Sequence, residues 1–533
     1  MSSRPTSRSA EAGAAARHRF IVVVPVADRP QHLRACLDSL LELQRRFPYG
    51  REISVLIADD SDDAAHVADN RALAGHYTAM GIPCIHFGPE EQWDLLASLG
   101  DDRRALAGVV GNATRERFGH KGQGAMRNIA CLKVARMLAA APGDDVLIWS
   151  VDSDQEFRVK VETERGDEEA YCVDFFHALD DIFSRSDALV LTGKVVGDPP
   201  VSPAVMTGNF LDDVIAFLRR MSARVPDAGC SHHAGIGRRQ GEAAYHDMAD
   251  LFGFGKAAAY EYRCTLAGEH AEADCFAHFA ARLAGFFHGE HPTRVSYYVP
   301  GDALASLQPA RTVYAGNYVA RPEALEHFLP FADLRLRMSG PTLGRLVRAQ
   351  IGPRFVSANL PMLHNRTVAG TSQAEFRPGI EVAAAVVDMG GEFERQFYGD
   401  VMLFSMERLT ALGYPQRQPD DGVLGETLEA VRAEMLDRYN ARHDSIRAKL
   451  ADARELLGNP AQWWNGAARH AAAVAAFSAF FDNVARNFAE DAPACRRIND
   501  AGAWAGWHGK LCAAVARYPA DCRTWRRILK PAP

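Results

Sequence analysis

The stretch FIVVVPVADRPQHLRACLDSLL, residues 20–41, decides the fold because it passes directly from a strand pattern to a helix pattern. Residues 20–25 form a continuous apolar run, as expected of a parallel strand that is covered on both faces. From Leu33 to Leu41, apolar residues recur at i, i+3, i+4, i+7 and i+8, which predicts one buried stripe of a helix. A strand followed at once by an amphipathic helix is the repeating unit of α/β proteins.

The same alternation continues through the first 200 residues. Strand patterns occupy residues 53–60, 82–87, 146–152 and 188–194, and helix patterns occupy residues 122–141 and 173–185. We therefore predict an open, doubly wound and mostly parallel α/β sheet. In such sheets, ligands gather at the carboxyl ends of the strands.

Aspartates follow the predicted strands at these ends. Asp28 comes after the first strand, and Asp59 and Asp60 end the second. Asp152 and Asp154 end the strand VLIWSVD, with one serine between them. Two carboxylates this close suit a divalent cation beside the phosphates of a ligand, because the cation offsets both charges. An acidic turn without a ligand is the alternative, since D-x-D is short and aspartate is common in loops.

Two further features fit a phosphate ligand. The segment GHKGQGAMRN, residues 119–128, puts three glycines and Lys121 at a helix start, where backbone N–H groups and the helix dipole favour a diphosphate. It lacks the GxxxxGK[ST] spacing of a P-loop. His364, after a strand pattern at residues 354–358, can complete a coordination shell begun by carboxylates, with a structural role as the alternative.

Beyond residue 205 the alternation of strand and helix stops. A sheet-like pattern returns at residues 311–320, and the chain reads as helical beyond residue 380. Apolar residues at near-heptad spacing from Leu424 to Leu457 predict a long helix with a solvated charged face, and a coiled-coil homodimer through the C-terminal helices is the alternative. The expected organisation is a disordered lead-in at 1–18, an α/β half at 19–204, an insertion at 205–305, a second α/β half at 306–372 and a helical region at 373–533.

Composition argues against several classes of protein. The net charge of −7 gives no general reason to expect a nucleic-acid partner. The ten cysteines contain no CxxC pair, and scattered free thiols suit a reducing cytoplasm. The apolar run at residues 471–481 is about half of the roughly 20 residues that a membrane-spanning helix needs. We expect a soluble cytoplasmic protein with no transmembrane segment, and peripheral contact with a membrane stays open.

The insertion is rich in potential zinc ligands. They lack the paired CxxC or HxxxH spacing that marks zinc sites, so the sequence by itself favours ordinary structural roles for them. These residues are Cys230, His232, His233, His246, Cys264, His270, Cys275, His278, His288 and His291.

Taken in order, the motifs resemble those of the nucleotide-sugar glycosyltransferases of family 2 and related families, which have the GT-A fold. The shared features are the opening strand and helix, the second strand ending in Asp-Asp, the glycine and Arg-Asn helix start, and the D-x-D motif. Residues 315–325 resemble the acceptor-side strand, and residues 340–367 resemble the final helix, strand and metal-ligating histidine. The likeness covers residues 20–200 and 311–367, and leaves out the insertion and the C-terminal helices.

The resemblance implies a GT-A type fold whose first half binds a UDP- or GDP-linked sugar and whose second half faces an unknown acceptor. It implies that Asp154 and His364 hold Mn²⁺ or Mg²⁺, that Asp152 approaches the sugar, and that Asp60 contacts the nucleobase. The full set of expected donor contacts is Pro25, Asp28, Arg29, Asp59, Asp60, Lys121, Arg127, Asp152 and Ser153, and the expected acceptor contacts are Gly316, Asn317 and Thr342.

One acid expected from this resemblance is absent. Inverting members carry a pair of acids before the final helix, one of which is the general base, whereas residues 339–346 read SGPTLGRL. The nearest acid is Asp333. This departure resembles the retaining mannosylglycerate and glucosyl-3-phosphoglycerate synthases, in which the departing phosphate takes the proton. We expect a retaining hexosyltransferase, with an inverting enzyme that uses Asp333 as its base, or a non-catalytic sugar-nucleotide-binding scaffold, as alternatives.

Overall fold

The computed structural model describes residues 16–140, 143, 145–163, 166–232, 261–366, 379–383 and 386–530. Its strands are β1 (Arg19–Val26), β2 (Ile53–Asp59), β3 (Cys84–Phe87), β4 (Val146–Val151), β5 (Gln155–Glu156), β6 (Val159–Thr163), β7 (Gly166–Ala170), β8 (Val190–Gly197), β9 (Gln308–Pro309), β10 (Asn317–Ala320), β11 (Phe355–His364), β12 (Glu381–Ala383) and β13 (Val386–Asp388).

Helices fill the space between the strands and make up most of the C-terminal third. They are α1 (Pro30–Arg46), α2 (Ala64–Ala79), α3 (Pro89–Ala97), α4 (Asp101–Ala105), α5 (Ala107–Val110), α6 (Gln123–Ala140), α7 (Phe175–Arg185), α8 (Pro203–Ser222), α9 (Glu272–Arg282), α10 (Ser339–Ile351), α11 (Gly390–Ala411), α12 (Asp421–Gly458), α13 (Ala471–Phe488), α14 (Pro493–Asn499) and α15 (Ala501–Leu529). Short 3₁₀ helices include Ala332–Leu334, directly before α10.

A large central sheet has the strand order β3-β2-β1-β4-β10-β8-β11-β5, with β9 paired to β11. Strand β1 runs parallel to both β2 and β4, β2 runs parallel to β3, and β8 runs parallel to β11. Strand β10 lies antiparallel between β4 and β8. The predicted α/β class with a mostly parallel sheet is confirmed.

The opening stretch folds as its pattern predicts. Strand β1 is buried along its length after Arg19, and α1 begins at Pro30, whose fixed φ suits the first turn of a helix. The stripe of α1 that includes Leu33, Cys36 and Leu40 is fully buried against the sheet. Burial of this stripe fixes how α1 lies on the sheet.

The two faces of β1 belong to two different apolar cores. Phe20 and Val22 pack with α1, α2 and α7 on one side of the sheet. Ile21 and Val23 belong to a larger core on the other side, which also contains apolar residues of α6, α8 and the C-terminal helices α11–α15. The C-terminal helices therefore share a continuous core with the sheet, and they help to support its second face.

The structure corrects several expected boundaries. The strand expected at residues 311–320 is limited to Asn317–Ala320, and the hairpin β12–β13 precedes the C-terminal helices. The expected start of the insertion at residue 205 falls inside α8, because Ser202 caps that helix by accepting a hydrogen bond from the Ala204 N–H at 3.2 Å. The expected boundary at residue 372 and most of the lead-in lie outside the described residues.

Helix α12 covers the whole apolar repeat from Leu424 to Leu457 that predicted it, and it ends at Gly458. Its apolar stripe, which includes Leu428, Val431 and Ile446, is buried within this chain. Because α12 packs on α8, α11 and α13, this stripe is already covered and is not the exposed seam that a coiled-coil homodimer needs. No helix in the described part of the chain is both long enough and apolar enough to cross a membrane.

A buried carboxyl lies where α11 packs on α12. Asp400 accepts hydrogen bonds from the Tyr439 hydroxyl at 2.5 Å and from the Gln396 amide at 3.0 Å. Burial raises the pKa of Asp400 to about 6, although these hydrogen bonds act to lower it. Because this pKa exceeds the value of about 4 in an unfolded chain, the folded protein loses stability as the pH rises from 4 through 6.

We expect Asp400→Asn to remove that pH dependence, since the amide cannot ionise. Its free energy of unfolding should exceed that of the unchanged protein by about 1–3 kcal/mol near pH 8 and should match it near pH 4. Urea unfolding at the two pH values measures this difference. Asp437→Asn, at an exposed position of α12, is the control and should show no such gain. A variant whose stability follows that of the unchanged protein at both pH values would contradict the prediction.

Candidate functional site

The site lies at the carboxyl ends of β1, β2 and β4, which are neighbours in the sheet and run in the same direction. The chain leaves these strands at Val26, Asp59 and Val151. Strand β5 then pairs antiparallel with β11 and places Gln155 opposite His364. This pairing brings the segment after β4 beside the end of β11, so that the D-x-D motif and His364 meet.

Asp154 and His364 form the centre of the site. The Nε2 atom of His364 lies 3.5 Å from Oδ2 of Asp154, and both side chains are buried. The Nδ1 atom of His364 lies 2.6 Å from the backbone carbonyl of Asp198. Because a carbonyl can only accept, Nδ1 is the donor in this contact, and Nε2 is the ring nitrogen that faces Asp154.

Two arginines flank the same carboxylate. Arg29 Nη1 and Arg366 Nη1 each lie 3.6 Å from Oδ2 of Asp154. Burial by itself would raise the pKa of Asp154, but His364, Arg366 and Arg29 together outweigh it and hold this pKa well below its usual range. Asp154 is therefore an anion at neutral pH, surrounded by groups that can also bind an anionic ligand.

Asp152 lies on the side of the motif nearest to β10. Its Oδ1 atom forms an ion pair with Arg127 of α6. Position 316 leaves little room for a side chain, because a Cβ atom there would lie 3.3 Å from Oδ2 of Asp152 and 3.1 Å from the Tyr314 hydroxyl. The structure thus brings Arg127, Asp152 and Gly316 together, and their contacts with a donor and an acceptor stay predictions. Ser153 and Pro25 are also at this edge, and both are buried.

Asp60 binds the glycine-rich loop. Its carboxylate accepts hydrogen bonds from the backbone N–H of Lys121 at 3.0 Å and of Gly122 at 3.1 Å, and its Oδ1 lies 2.6 Å from the Lys121 ammonium. Both side chains are almost fully buried. The two N–H groups expected to cradle a diphosphate therefore bind Asp60. A contact of Asp60 or Lys121 with a ligand stays a prediction that requires this pair to open.

Asp59 and Asp28 each organise a neighbouring loop. Asp59 is fully buried and bonds to His86 Nε2 at 2.9 Å and Asn70 Nδ2 at 3.0 Å. Although burial acts to raise it, hydrogen bonds from His86 and other groups lower the pKa of Asp59. Asp28 accepts from the N–H groups of Asp62 and Asp63 and lies 2.5 Å from His120 Nε2. These bonds give Asp59 a structural role, and its burial does not favour the predicted nucleobase contact.

Backbone strain concentrates around this edge of the sheet. Within the described ranges, the non-glycine residues with positive φ are Asp28, His120, Arg335 and Met338. Asp28 and His120 bond to each other, and the other two form the turn between Ala332–Leu334 and α10. Such conformations cost on the order of 1–3 kcal/mol each and cluster at functional sites, where the surrounding structure holds them.

The acceptor-side predictions divide into two groups. Asn317 is buried, and its amide donates to the carbonyls of Lys194 and Leu360 and accepts from Trp149 Nε1 at 3.0 Å. Asn317 therefore fixes three strands of the sheet, and Thr342 is likewise buried on α10. Neither placement favours a direct contact with an acceptor, which stays a prediction, whereas Gly316 adjoins Asp152.

Asp333 lines a cavity of about 250 Å³, together with Lys121 of the glycine-rich loop, Arg335 and Arg517. Its carboxylate forms an ion pair with Arg517 of α15 at 2.8 Å. Gly108 allows this approach, because a Cβ atom there would overlap the Arg517 guanidinium. The C-terminal helix α15 thus reaches the rim of the candidate site and holds the acid that could act as a displaced general base.

Sequence reasoning did not single out Tyr314, Asp198 or Arg366. Burial and the charges of Asp152 and Asp154 raise the pKa of Tyr314 well above its usual value, so its hydroxyl is neutral at the centre of the site. Arg366 stands two residues after His364, and this proximity was the one available signal. Asp198 acts through its backbone carbonyl, which leaves no mark in the sequence.

Neither a protein-family model nor a curated protein matches this chain. Its function is therefore inferred from the side chains that meet at this edge of the sheet.

We expect Asp60→Ala to destabilise the protein by about 3 kcal/mol, because it leaves the buried Lys121 ammonium without its counter-charge. Lys121→Met in the same chain should recover part of the loss. In a double-mutant cycle, unfolding free energies should show a coupling on the order of 1–3 kcal/mol. Asp69→Ala, on the exposed face of α2, is the control and should change stability by less than about 0.5 kcal/mol. Strictly additive effects of the two changes would contradict this role of the pair.

Proposed function

We propose that this chain is a metal-dependent glycosyltransferase with a GT-A type fold, which transfers a hexosyl group from a nucleotide-diphosphate sugar with retention. One observation carries the proposal. Asp154, from the D-x-D motif, and His364, from the end of β11, meet within 3.5 Å at the carboxyl edge of a mostly parallel sheet. Ligands bind at this edge in open α/β sheets.

The residues present fit a divalent cation. One carboxylate oxygen and one imidazole nitrogen approach each other, and the hydrogen bond to the Asp198 carbonyl sets the imidazole tautomer that a metal ligand needs. Asp154 and His364 would hold Mn²⁺ or Mg²⁺ together with oxygens of the donor diphosphate. The cation would supply Lewis-acid stabilisation of the departing nucleotide.

The charges around Asp154 favour a polyanionic donor. Arg29 and Arg366 flank Asp154, and Arg127 pairs with Asp152, so three guanidinium groups surround two carboxylates. The excess positive charge would attract a diphosphate to this place. A guanidinium group suits phosphate oxygens because it donates in a planar fork. Asp152, held by Arg127, would accept hydrogen bonds from hydroxyl groups of the sugar.

The state of the two groups that could accept a proton from the acceptor, Tyr314 and Asp333, favours a retaining mechanism. Tyr314 keeps its proton at neutral pH, and the Asp333 carboxylate is engaged by Arg517. In front-face transfer, the departing phosphate oxygen takes the acceptor proton as the new glycosidic bond forms on the same face of the sugar. This route requires the protein to orient the donor and the acceptor and to exclude water. It needs no carboxylate base on the opposite face of the sugar.

We expect Asp154→Asn to lower the rate of sugar transfer and of donor hydrolysis by at least about 100-fold, since it weakens the metal site. A panel of UDP- and GDP-sugars with Mn²⁺, followed by the release of nucleoside diphosphate, measures both rates. Asp145→Asn is the matched control, because Asp145 precedes the opposite end of the same strand and pairs with Arg17. Its rates should equal those of the unchanged protein.

Two results of the same screen would contradict the proposal. The first is undiminished turnover in Asp154→Asn. The second is the absence of turnover by the unchanged protein with every donor, while calorimetry shows Mn²⁺-dependent binding of UDP or GDP. That second result would favour the sugar-nucleotide-binding scaffold.

We expect Asp333→Asn to change the rate of transfer by less than about 3-fold, whereas removal of a general base would cost about 100-fold or more. Arg517→Met is the control, because it breaks the same ion pair without changing the acid. The anomeric configuration of the first-formed product, read by NMR, decides independently between the two pathways. An inverted product, together with a selective loss in Asp333→Asn, would overturn retention.

A further inference from the structure

Four potential metal ligands meet in the segment between α8 and the end of α9. The ligating atoms of Cys230, Cys264, His270 and Cys275 all lie within 4.8 Å of one another. Cys230 follows α8, Cys264 and His270 belong to the loop before α9, and Cys275 lies in the first turn of α9. This cluster stands apart from the sheet edge described above and shares no residue with it.

The dimensions of the cluster suit zinc. Zn–S bonds of about 2.3 Å and Zn–N bonds of about 2.0–2.1 Å place the ligands of a tetrahedral ion roughly 3.5–3.8 Å apart. The Cys230 and Cys275 sulfurs lie 3.1 Å apart, and the Cys264 sulfur lies 3.1 Å from His270 Nε2. A shift of well under 1 Å for each side chain would create tetrahedral spacing.

Hydrogen bonds with neighbouring groups favour the metal-binding forms of two of these ligands, His270 and Cys230. His270 Nδ1 lies 2.8 Å from the Gly268 carbonyl, so Nδ1 is the donor and the Nε2 lone pair of the neutral ring faces the cysteines. The His232 backbone N–H donates to the Cys230 sulfur at 3.4 Å, which stabilises a thiolate. Neutral imidazole and thiolate are the forms that bind a metal.

The backbone holds the ligands in place independently of any metal. The Cys230 N–H donates to the His270 carbonyl at 3.0 Å, and Gly229 bridges to Ala271. Glu272, which begins α9, accepts from the Ser231 N–H at 3.1 Å. These bonds join the segment that follows α8 to the start of α9 at the point where the four side chains converge.

We propose that Cys230, Cys264, His270 and Cys275 bind one structural Zn²⁺ ion. Three thiols release their protons to solvent as three Zn–S bonds form, and the imidazole contributes the fourth bond without losing a proton. Four protein ligands complete the tetrahedron and leave no position for water or substrate, which is the mark of a structural rather than a catalytic zinc site. Soft thiolates also separate this site from one for Mg²⁺ or Mn²⁺.

The ion would tie residues 223–232 and 261–271, two described stretches that contain no helix and only one isolated β-bridge, to helix α9. Next to the cluster, Phe276 and Phe279 of α9 pack on Phe217 of α8 and on Phe477 of α13. A cross-link between the segment that follows α8 and the first turn of α9 would therefore fix how α9 lies on the C-terminal helices.

The test is the metal content of the purified full chain. Elemental analysis after expression with zinc and purification under reducing conditions should find about one zinc ion per chain. Cys264→Ser and His270→Ala should each lower this content at least several-fold. Cys172→Ser, at an exposed cysteine, and His278→Ala, at a histidine of α9 outside the cluster, are the matched controls and should keep the ion.

A second measurement covers variants that fail to fold. The unchanged protein, stripped with a chelator and reloaded with Co²⁺, should show the visible absorption of tetrahedral cobalt and thiolate-to-cobalt charge transfer. Stripping should lower the melting temperature and zinc should restore it. An unchanged protein that holds no zinc and takes up no Co²⁺, or that carries a Cys230–Cys275 disulfide under reducing conditions, would overturn the proposal. Neither readout depends on the donor-sugar screen.

Discussion

The buried carboxylate of Asp154 requires positive charge beside it, and this requirement connects distant parts of the chain. A buried anion is costly unless it is paired and hydrogen-bonded. Arg29 after β1, and His364 and Arg366 at the end of β11, meet that need. Strands β10 and β8 separate β4 from β11 in the sheet. His364 and Arg366 nevertheless reach Asp154, because β5 returns the chain after β4 to pair with β11. The topology of the sheet therefore determines which positive groups lie beside Asp154.

The remaining acids at this edge of the sheet bind neighbouring parts of the chain. Asp60 binds the glycine-rich loop through Lys121 and Gly122, Asp59 binds His86 and Asn70, and Asp28 joins the loops that follow β1 and β2. These contacts hold a strained backbone in place around Asp152 and Asp154. A rigid frame of this kind supports a binding site because it fixes the side chains before the ligand arrives.

The helical region after residue 390 is part of this frame. Its apolar side chains share a core with one face of the sheet, and Arg517 of α15 reaches Asp333 beside the glycine-rich loop. This arrangement explains why the stripe of α12 is not an oligomer seam. It also means that the Asp333 side of the site is bounded by a segment whose sequence carries no motif of the site.

The sequence by itself determined the order of the main strands and helices in the first 200 residues, the burial of β1 and α1, the apolar stripe of α12 and the placement of acids at strand ends. These features depend on residues that are near one another in the chain, where hydrophobic periodicity and local caps act. Only the tertiary structure decided that Asp154 meets His364, that Asp59 and Asp60 turn inward, and that Cys230, Cys264, His270 and Cys275 converge. Those outcomes depend on packing between segments far apart in the chain, and irregular spacing carries no periodic signal of which side chains will meet.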